Sequence, residues 1–315
     1  MQFDQFIIFF LLILTGFLCK KFKVFTDPVV NGINTFVVYI SFPCLILGRI
    51  SMLEMDHTVF LNFLLAIFIS LGLYFVFAGY ARLFFKGKRF NTTDRPAMEL
   101  AAIIPNNAFM GFPIGIIYFG NIGFLNMLAN NIASNIFIFS YGVSVLNRGS
   151  EKTNHPISKK NTKFFRIFIN PNICAAIAGI IICYNQIRLP DAAAGFLDTV
   201  GAVATPMAMI SVGTMLAGSF GLHTFTKRAV LEPMLNKLFI LPLLTAAIVW
   251  FLPLAPIVKT ILILVNLLPT GTVIPVLCEQ YGRDKETASE ILVISTLLSM
   301  VTIPLAIWVL GMIGL

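Results

Sequence analysis

Charge is what this 315-residue sequence has least of. Asp, Glu, Lys and Arg make up 11% of it, against about 25% in an average soluble domain. Mean hydropathy is +0.90 and 58% of the residues are hydrophobic, more apolar surface than a soluble core of this length needs. This composition excludes a soluble globular domain and points to a polytopic helical membrane protein. The five cysteines (Cys19, Cys44, Cys174, Cys183, Cys278) stand singly in apolar segments. They have neither metal-ligand spacing nor a disulfide pattern, and read as small packing residues. His57 and His223 lie near the ends of apolar segments and His155 in the central polar stretch, placements that suit solvated or interfacial side chains. No GxxxxGK[ST] loop is present, so no ATP engine is expected. HExxH, GxSxG and a paired intramembrane aspartate are missing too, so an enzyme is not expected. No arginine-rich span suggests voltage sensing, and no carbonyl-filter motif suggests an ion channel.

Long apolar windows are what the chain does have. A helix needs about 20 apolar residues to cross a bilayer. Ten candidate spans follow: 3–19, 29–48, 58–82, 97–119, 122–146, 167–186, 191–219, 229–252, 256–281 and 287–314. The first lacks a basic leader and a small-residue cleavage site, so it reads as a retained span. With the N-terminus outside, 19 of the 22 Lys and Arg fall in cytoplasmic loops, Lys227, Arg228 and Lys237 among them. Only Arg49, Arg188 and Lys259 fall outside. This positive-inside bias places both termini on the extracytoplasmic side of a plasma (inner) membrane. The net charge of +8 is then topological, and nucleic acid is not an expected partner.

The polar stretch from Asn147 to about Lys163 lies near the middle, with five spans on each side. It divides the chain into residues 1–146, a short basic cytoplasmic linker at 147–166, and residues 167–315. An odd number of spans per half means that a repeated fold enters the membrane upside down the second time. Pro113 is followed by six residues and Gly120, with Phe119 before the glycine; Pro275 is followed by six residues and Gly282, with Tyr281 before it. The offset is 162 residues, and it sets "NNAFMGFP" in span four against "LPTGTVIP" in span nine. A weaker echo joins Pro43 to Pro206. The expected fold is all-α and polytopic: ten transmembrane helices as two inverted five-helix repeats, with spans four and nine broken and crossing.

Proline removes a backbone donor and clashes with the preceding turn. In hydrocarbon, irregular backbone survives only inside protein or beside a cavity. Two matching breaks would aim half-helix N-termini, each with roughly +0.5 charge, at one centre that suits an anion. A proline kink that merely eases helix packing is the plainer alternative. Candidate contacts are Asn106, Asn107, Gly111 and Pro113 at one break, and Thr270, Gly271, Thr272 and Pro275 at the other. Span five adds Asn126, Asn130, Asn131 and Asn135, of which Asn131 and Asn135 are one turn apart and join the candidate site; interhelical hydrogen bonding is their alternative role. Glu99 and Asp198 are the proton-coupling candidates, since intramembrane carboxylates are costly. Glu279 can pair with Arg283 one turn on, Glu290 lies one turn inside span ten, and Glu232 reads as a solvated helix start. No lysine or arginine is expected deep in a span, which leaves amides and helix ends to hold an anion. Neither a metal site nor a cofactor is expected, and a proton or sodium gradient would supply the energy.

The N-N-x-F-x-G-F-P with a following Y-F-G in span four, the P-T-G-x-x-x-P with a following Y-G-R-D in span nine, and the ending "ASEILVISTLLSMVTIPLAIWVL" resemble the auxin efflux carrier family over essentially the whole chain. The resemblance implies a fold related to the bile-acid/sodium symporters. Spans 1, 2, 6 and 7 would form a dimerising scaffold, and spans 3–5 and 8–10 a moving transport domain. It also implies a secondary carrier of a small organic anion, such as malate, malonate or an auxin-like acid, working by elevator-type alternating access. The crossover residues would be Asn107 or Asn106, Pro113 and Pro275. Expected partners are the anion, membrane lipid and a second copy of the chain. The central loop is far shorter than in many plant carriers, which fits a compact bacterial type. The bile-acid family's sodium-site pattern is not recognisable here. A ligand sensor without transport and a sodium-coupled symporter are the alternatives.

Overall fold

The computed structural model describes residues 2–53, 57–86, 90, 94–148, 170–217 and 226–312, with side chains from residue 7 onward. Among these there is no strand, and helices run nearly end to end. They are α1 (Gln2–Lys21), α2 (Asp27–Ser51), α3 (His57–Phe84), α4 (Arg95–Ile103), α5 (Asn107–Leu146), α6 (Pro171–Tyr184), α7 (Asp191–Leu216), α8 (Arg228–Trp250), α9 (Pro256–Leu267), α10 (Val273–Gln280) and α11 (Lys285–Met312). Six of them, α2, α3, α5, α7, α8 and α11, are long and apolar enough to cross a membrane. Phe68, Leu243, Val301 and Trp308 are among the large apolar side chains that these helices expose. Apolar residues facing outward at this density are what lipid-facing helices carry. Expected span four is two helices, α4 and the first part of α5, and expected span nine is α9 and α10. Of the expected linker only Asn147, Arg148 and nothing further up to Arg166 falls among the described residues; His155 and His223 also lie outside them.

Proline punctuates these helices in two ways. It sits in the first turn of α2, α4, α6 and α9, where no backbone donor is lost. At three interior positions it follows a π-helical turn: Val37–Ser41 precedes Pro43, Asn107–Gly111 precedes Pro113, and Asn236–Ile240 precedes Pro242. A wider turn lets the chain skip the hydrogen bond that proline cannot donate without breaking the helix. Gly120 (φ 58°, ψ −140°) divides α5, and Gly282 (φ 64°) follows α10. Both stand in the left-handed region that a Cβ disfavours, and both end the Pro-x6-Gly stretches read from the sequence.

The helices fall into two compact units. The first comprises residues 1–65, 108–125 and 164–218, and so holds α1, α2, α6 and α7. Within it α1 and α7 lie backbone to backbone. A Cβ added at Gly16 would stand 2.0 Å from the Ile210 carbonyl oxygen, and one at Gly213 2.0 Å from that of Ile13. Small residues permit such approach between membrane helices, where dispersion rather than water exclusion drives packing. Phe42, fully buried, meets Phe109 and Phe112 edge-on, each at 5.5 Å between centroids.

The second unit comprises residues 66–107, 126–163 and 219–315. Its core joins Tyr74 and Phe77 of α3, Leu100 and Ile103 of α4, Phe137 of α5, Leu238 of α8, Ile274 of α10 and Ile291 of α11. This unit contains both interrupted stretches between α4 and α5 and between α9 and α10.

Candidate functional site: two crossed helix breaks

Proline explains where α4 and α9 stop. The residue before a proline is pushed out of the helical region. Ile104, before Pro105, is extended (φ −80°, ψ 119°), and so is Leu268, before Pro269 (φ −61°, ψ 146°). The two extended stretches then pair. Pro105 and Thr270 form an antiparallel bridge, with the Asn106 N–H donating to the Pro269 carbonyl (2.8 Å) and the Gly271 N–H to the Ile104 carbonyl (2.9 Å). Glycine at 271 eases this approach, since a Cβ would lie a tight 3.1 Å from both the Ile104 side chain and the Pro105 carbonyl oxygen.

Three of the carbonyls freed at the end of α4, those of Ala101, Ile103 and Ile104, find new donors. In an unbroken helix Ala101 would accept from residue 105, but Pro105 has no N–H; the Thr270 hydroxyl donates instead, at 2.8 Å. The Ile103 carbonyl accepts from the Lys237 ammonium or amine nitrogen at 2.9 Å. Across the crossing, the Thr270 N–H donates to the Ser295 hydroxyl oxygen at 3.1 Å. Such pairing is what hydrocarbon demands of irregular backbone.

Asn107 opens the chain beyond the first break. Its Nδ2 donates to Asn130 Oδ1 (2.9 Å) and Ser134 Oγ (3.3 Å), and the Tyr74 hydroxyl donates to the same Asn130 oxygen (2.5 Å). Asn106 and Asn107 are 3% and 2% exposed, yet Asn106 Nδ2 and Asn107 Oδ1 have no protein partner. A buried amide donor and a buried amide acceptor are thus left open side by side in sequence, at a cost that a bound polar group would remove. Asn266, in the last turn of α9, likewise leaves Oδ1 open.

The residues singled out from sequence separate on this geometry. Asn106, Asn107, Thr270 and Gly271 meet at the bridge. Thr272 stands at the N-cap position of α10 without a side-chain capping bond, and Pro275 is buried in its first turn. Gly111 and Pro113 belong to the first unit. In the asparagine row of α5 it is Asn130 that bonds Asn107; Asn131 and Asn135 bond each other along the helix, Asn135 Nδ2 reaching the Asn131 carbonyl at 2.8 Å. Ser134 and Tyr74 carry no motif that sequence could have flagged. Helical spacing from Asn130 to Ser134 is the one signal available for the serine.

Charge placement departs further from expectation. Lys237, counted with the loop cations, is fully buried in the π-helical turn of α8, so a deep lysine does exist. Sequence local to it reads as a helix start because Lys227 and Arg228 lie nearby; only packing shows the turn to be interior. Glu99 is engaged by Arg148 (3.0 Å) and by the Tyr141 hydroxyl (2.8 Å), which also accepts from Arg148 (2.9 Å). Burial alone would lower the Arg148 pKa, but the Tyr141 hydroxyl and the Glu99 carboxylate together raise it above its ordinary value. Asp198 is exposed on α7, in the first unit. Glu290 is buried and paired with Lys227 at 2.7 Å. Glu279 pairs with Lys285 (2.8 Å) and not with Arg283, whose guanidinium caps the end of α5 at the Leu146 and Arg148 carbonyls (2.7 and 2.6 Å). Among the described residues no group of three His, Cys, Asp or Glu is placed to hold a metal ion.

Comparison with known proteins supplies the class. The family model described as Membrane transport protein matches residues 2–307. The chain belongs to that family. This is the auxin efflux carrier family that the span-four and span-nine motifs resemble. An uncharacterized transporter of Methanothermobacter thermautotrophicus is 24% identical over 295 residues, covering 93% of each chain. A Rhizobium meliloti protein named "Putative malonate transporter" is 24% identical over 306 residues, covering 94% of this chain and 91% of its own. An uncharacterized transporter of Methanocaldococcus jannaschii is 22% identical over 323 aligned positions, covering 98% of each. The protein is a multi-pass membrane transporter.

Proposed function

We propose that the protein is a secondary carrier of a small organic anion, of the malonate, malate or auxin-like class, held at the crossing of the two helix breaks. The observation that carries this reading is the pair of open amide groups at Asn106 and Asn107, buried where four helix ends converge. The half-helices that start at Asn107 and Val273 turn N-termini toward the break, and an anion is the natural partner of such ends. The name of the Rhizobium relative supports a dicarboxylate. Binding residues in this reading are Asn106, Asn107, Asn130, Thr270, Gly271 and Thr272.

Ten membrane passes arranged as two inverted five-helix repeats account for the paired breaks. Residues that pair across a two-fold axis are equivalent, and Pro105 pairs with Thr270, 165 positions on. Gly120 and Gly282, both at positive φ, are 162 apart. The first half thus carries three more residues between break and glycine, in the stretch that forms the π-helical turn Asn107–Gly111. The gathering of α1, α2, α6 and α7 in one unit and of α8–α11 in the other supports a fixed scaffold and a moving carrier domain, hence elevator-type alternating access in the plasma membrane, with a second copy docked through the scaffold.

Counterflow of labelled malonate in proteoliposomes tests the reading. The wild type exchanges malonate, and Asn107→Ala, which removes the donor to Asn130 and the open Oδ1, slows exchange at least tenfold while remaining folded. Binding without counterflow would make the protein a receptor, and Asn107→Ala exchanging at the wild-type rate would remove the crossing as the site.

A further inference from the structure

Of the freed α4 carbonyls that find new donors, those of Ala101 and Ile104 are met by neutral groups, the Thr270 hydroxyl and the Gly271 N–H; that of Ile103 is met by a lysine that is fully buried. A neutral cap would have served, and a buried amine without a carboxylate is costly to charge. Among the described residues no carboxylate pairs with Lys237. On α4, Glu99 is held by Arg148 and Tyr141. On α11, Glu290 is held by Lys227, and Glu286 lies a turn before it. On α9, Lys259 donates to the Trp250 carbonyl, and the second turn of α8 from Lys237 onward carries no titratable group. On the first part of α8, Glu232 stands five residues before Lys237, and Arg228 at the helix start; on α3, Tyr80 bonds the adjacent Asn236. The crossing therefore has an amine at a helix C-terminus, the end at which a free coupling cation would otherwise sit, and open amides at Asn106 and Asn107 a few residues along the same strand.

We propose that Lys237 is the counter-charge of the transported anion: its amine takes up a proton as the anion enters the crossing and gives it up as the anion leaves, so that a proton and not sodium accompanies the substrate. This rests on the anion-carrier reading. Lys237 is a positioning residue in this scheme. It acts through the end of α4, by holding a positive charge at Ile103 when negative charge arrives at Asn106 and Asn107. No bond to the substrate forms; the proton moves from water to the amine and back.

The test uses the full chain in detergent, with malonate as probe, a pH indicator in weak buffer and thermal unfolding as readouts. Wild type is stabilised by malonate and takes up about one proton per site, with sodium replaceable by choline. Lys237→Met loses the stabilisation and the uptake; Lys237→Arg, permanently charged, keeps the stabilisation without the uptake. Stabilisation with full proton uptake in Lys237→Met, or wild-type uptake in Lys237→Arg, overturns the proposal. If malonate leaves wild type unaffected, the malonate reading fails, and a ligand-free measurement decides on Lys237. An amine that is empty of its proton when the crossing is empty must gain that proton on unfolding. Wild-type stability relative to Lys237→Met then rises between about pH 6 and about pH 9, because the unfolded state binds the additional proton. A difference that stays flat over that range overturns the proposal.

Discussion

Thr270 offers the sharpest test of how the break is held. Its hydroxyl, fully buried, replaces the N–H that Pro105 cannot give to the Ala101 carbonyl. Thr270→Val keeps the shape and removes the donor. An unsatisfied buried carbonyl costs about 1–3 kcal/mol in soluble proteins, while single polar contacts between membrane helices average about 0.6 kcal/mol. The expectation for this site lies between, at about 1–2 kcal/mol. For a chain of this size each kcal/mol lowers the unfolding midpoint by about 2–4 °C, giving a drop of about 2–8 °C. A thiol-reactive dye reads it as the rise above the signal of the exposed Cys174 when the buried Cys183 and Cys278 become accessible. Thr270→Ser keeps the hydroxyl and loses one methyl, so it should lose less than Thr270→Val. If valine is as stable as wild type, or serine loses as much as valine, the hydroxyl does not hold the end of α4.

Two further outcomes follow from packing and charge. Gly213→Ala places a Cβ about where the Ile13 carbonyl oxygen already lies, 2.0 Å away, and should cost about 3 kcal/mol or more in folded yield and unfolding midpoint. Gly72→Ala, with nothing within 4 Å, should instead stabilise by about 0.5–1 kcal/mol. Equal effects would mean that α1 and α7 do not touch as described. Glu99→Gln breaks the pair with Arg148, which is one-third exposed, and should cost about 1–2 kcal/mol while leaving the pH dependence of malonate exchange unchanged. A shifted pH profile with intact stability would return Glu99 to the role of proton carrier.

The two breaks were legible in the sequence because proline acts locally: it withholds an N–H and distorts its predecessor wherever it stands. Gly120 and Gly282 were legible for a related reason, since a positive φ admits few other residues. The membrane class followed from composition, which no packing can alter. Partners of side chains were not legible. Asn131 and Asn135 looked as suitable as Asn130, because a helical row of amides does not say which member faces a neighbour. Glu279 and Arg283 are spaced to pair, yet Arg283 caps α5 and Glu279 takes Lys285.

By itself, then, the sequence determined that this chain lives in a membrane, where its helices are interrupted, and which family it belongs to, since hydropathy, proline chemistry and motif spacing are properties of the chain read in order. Tertiary structure alone decided that Thr270 serves the carbonyl that Pro105 leaves open, that the Asn106 and Asn107 amides keep unspent groups, and that Lys237 is interior. Those facts depend on which distant segment lies 3 Å away, and hydrogen bonding and burial are set by that proximity.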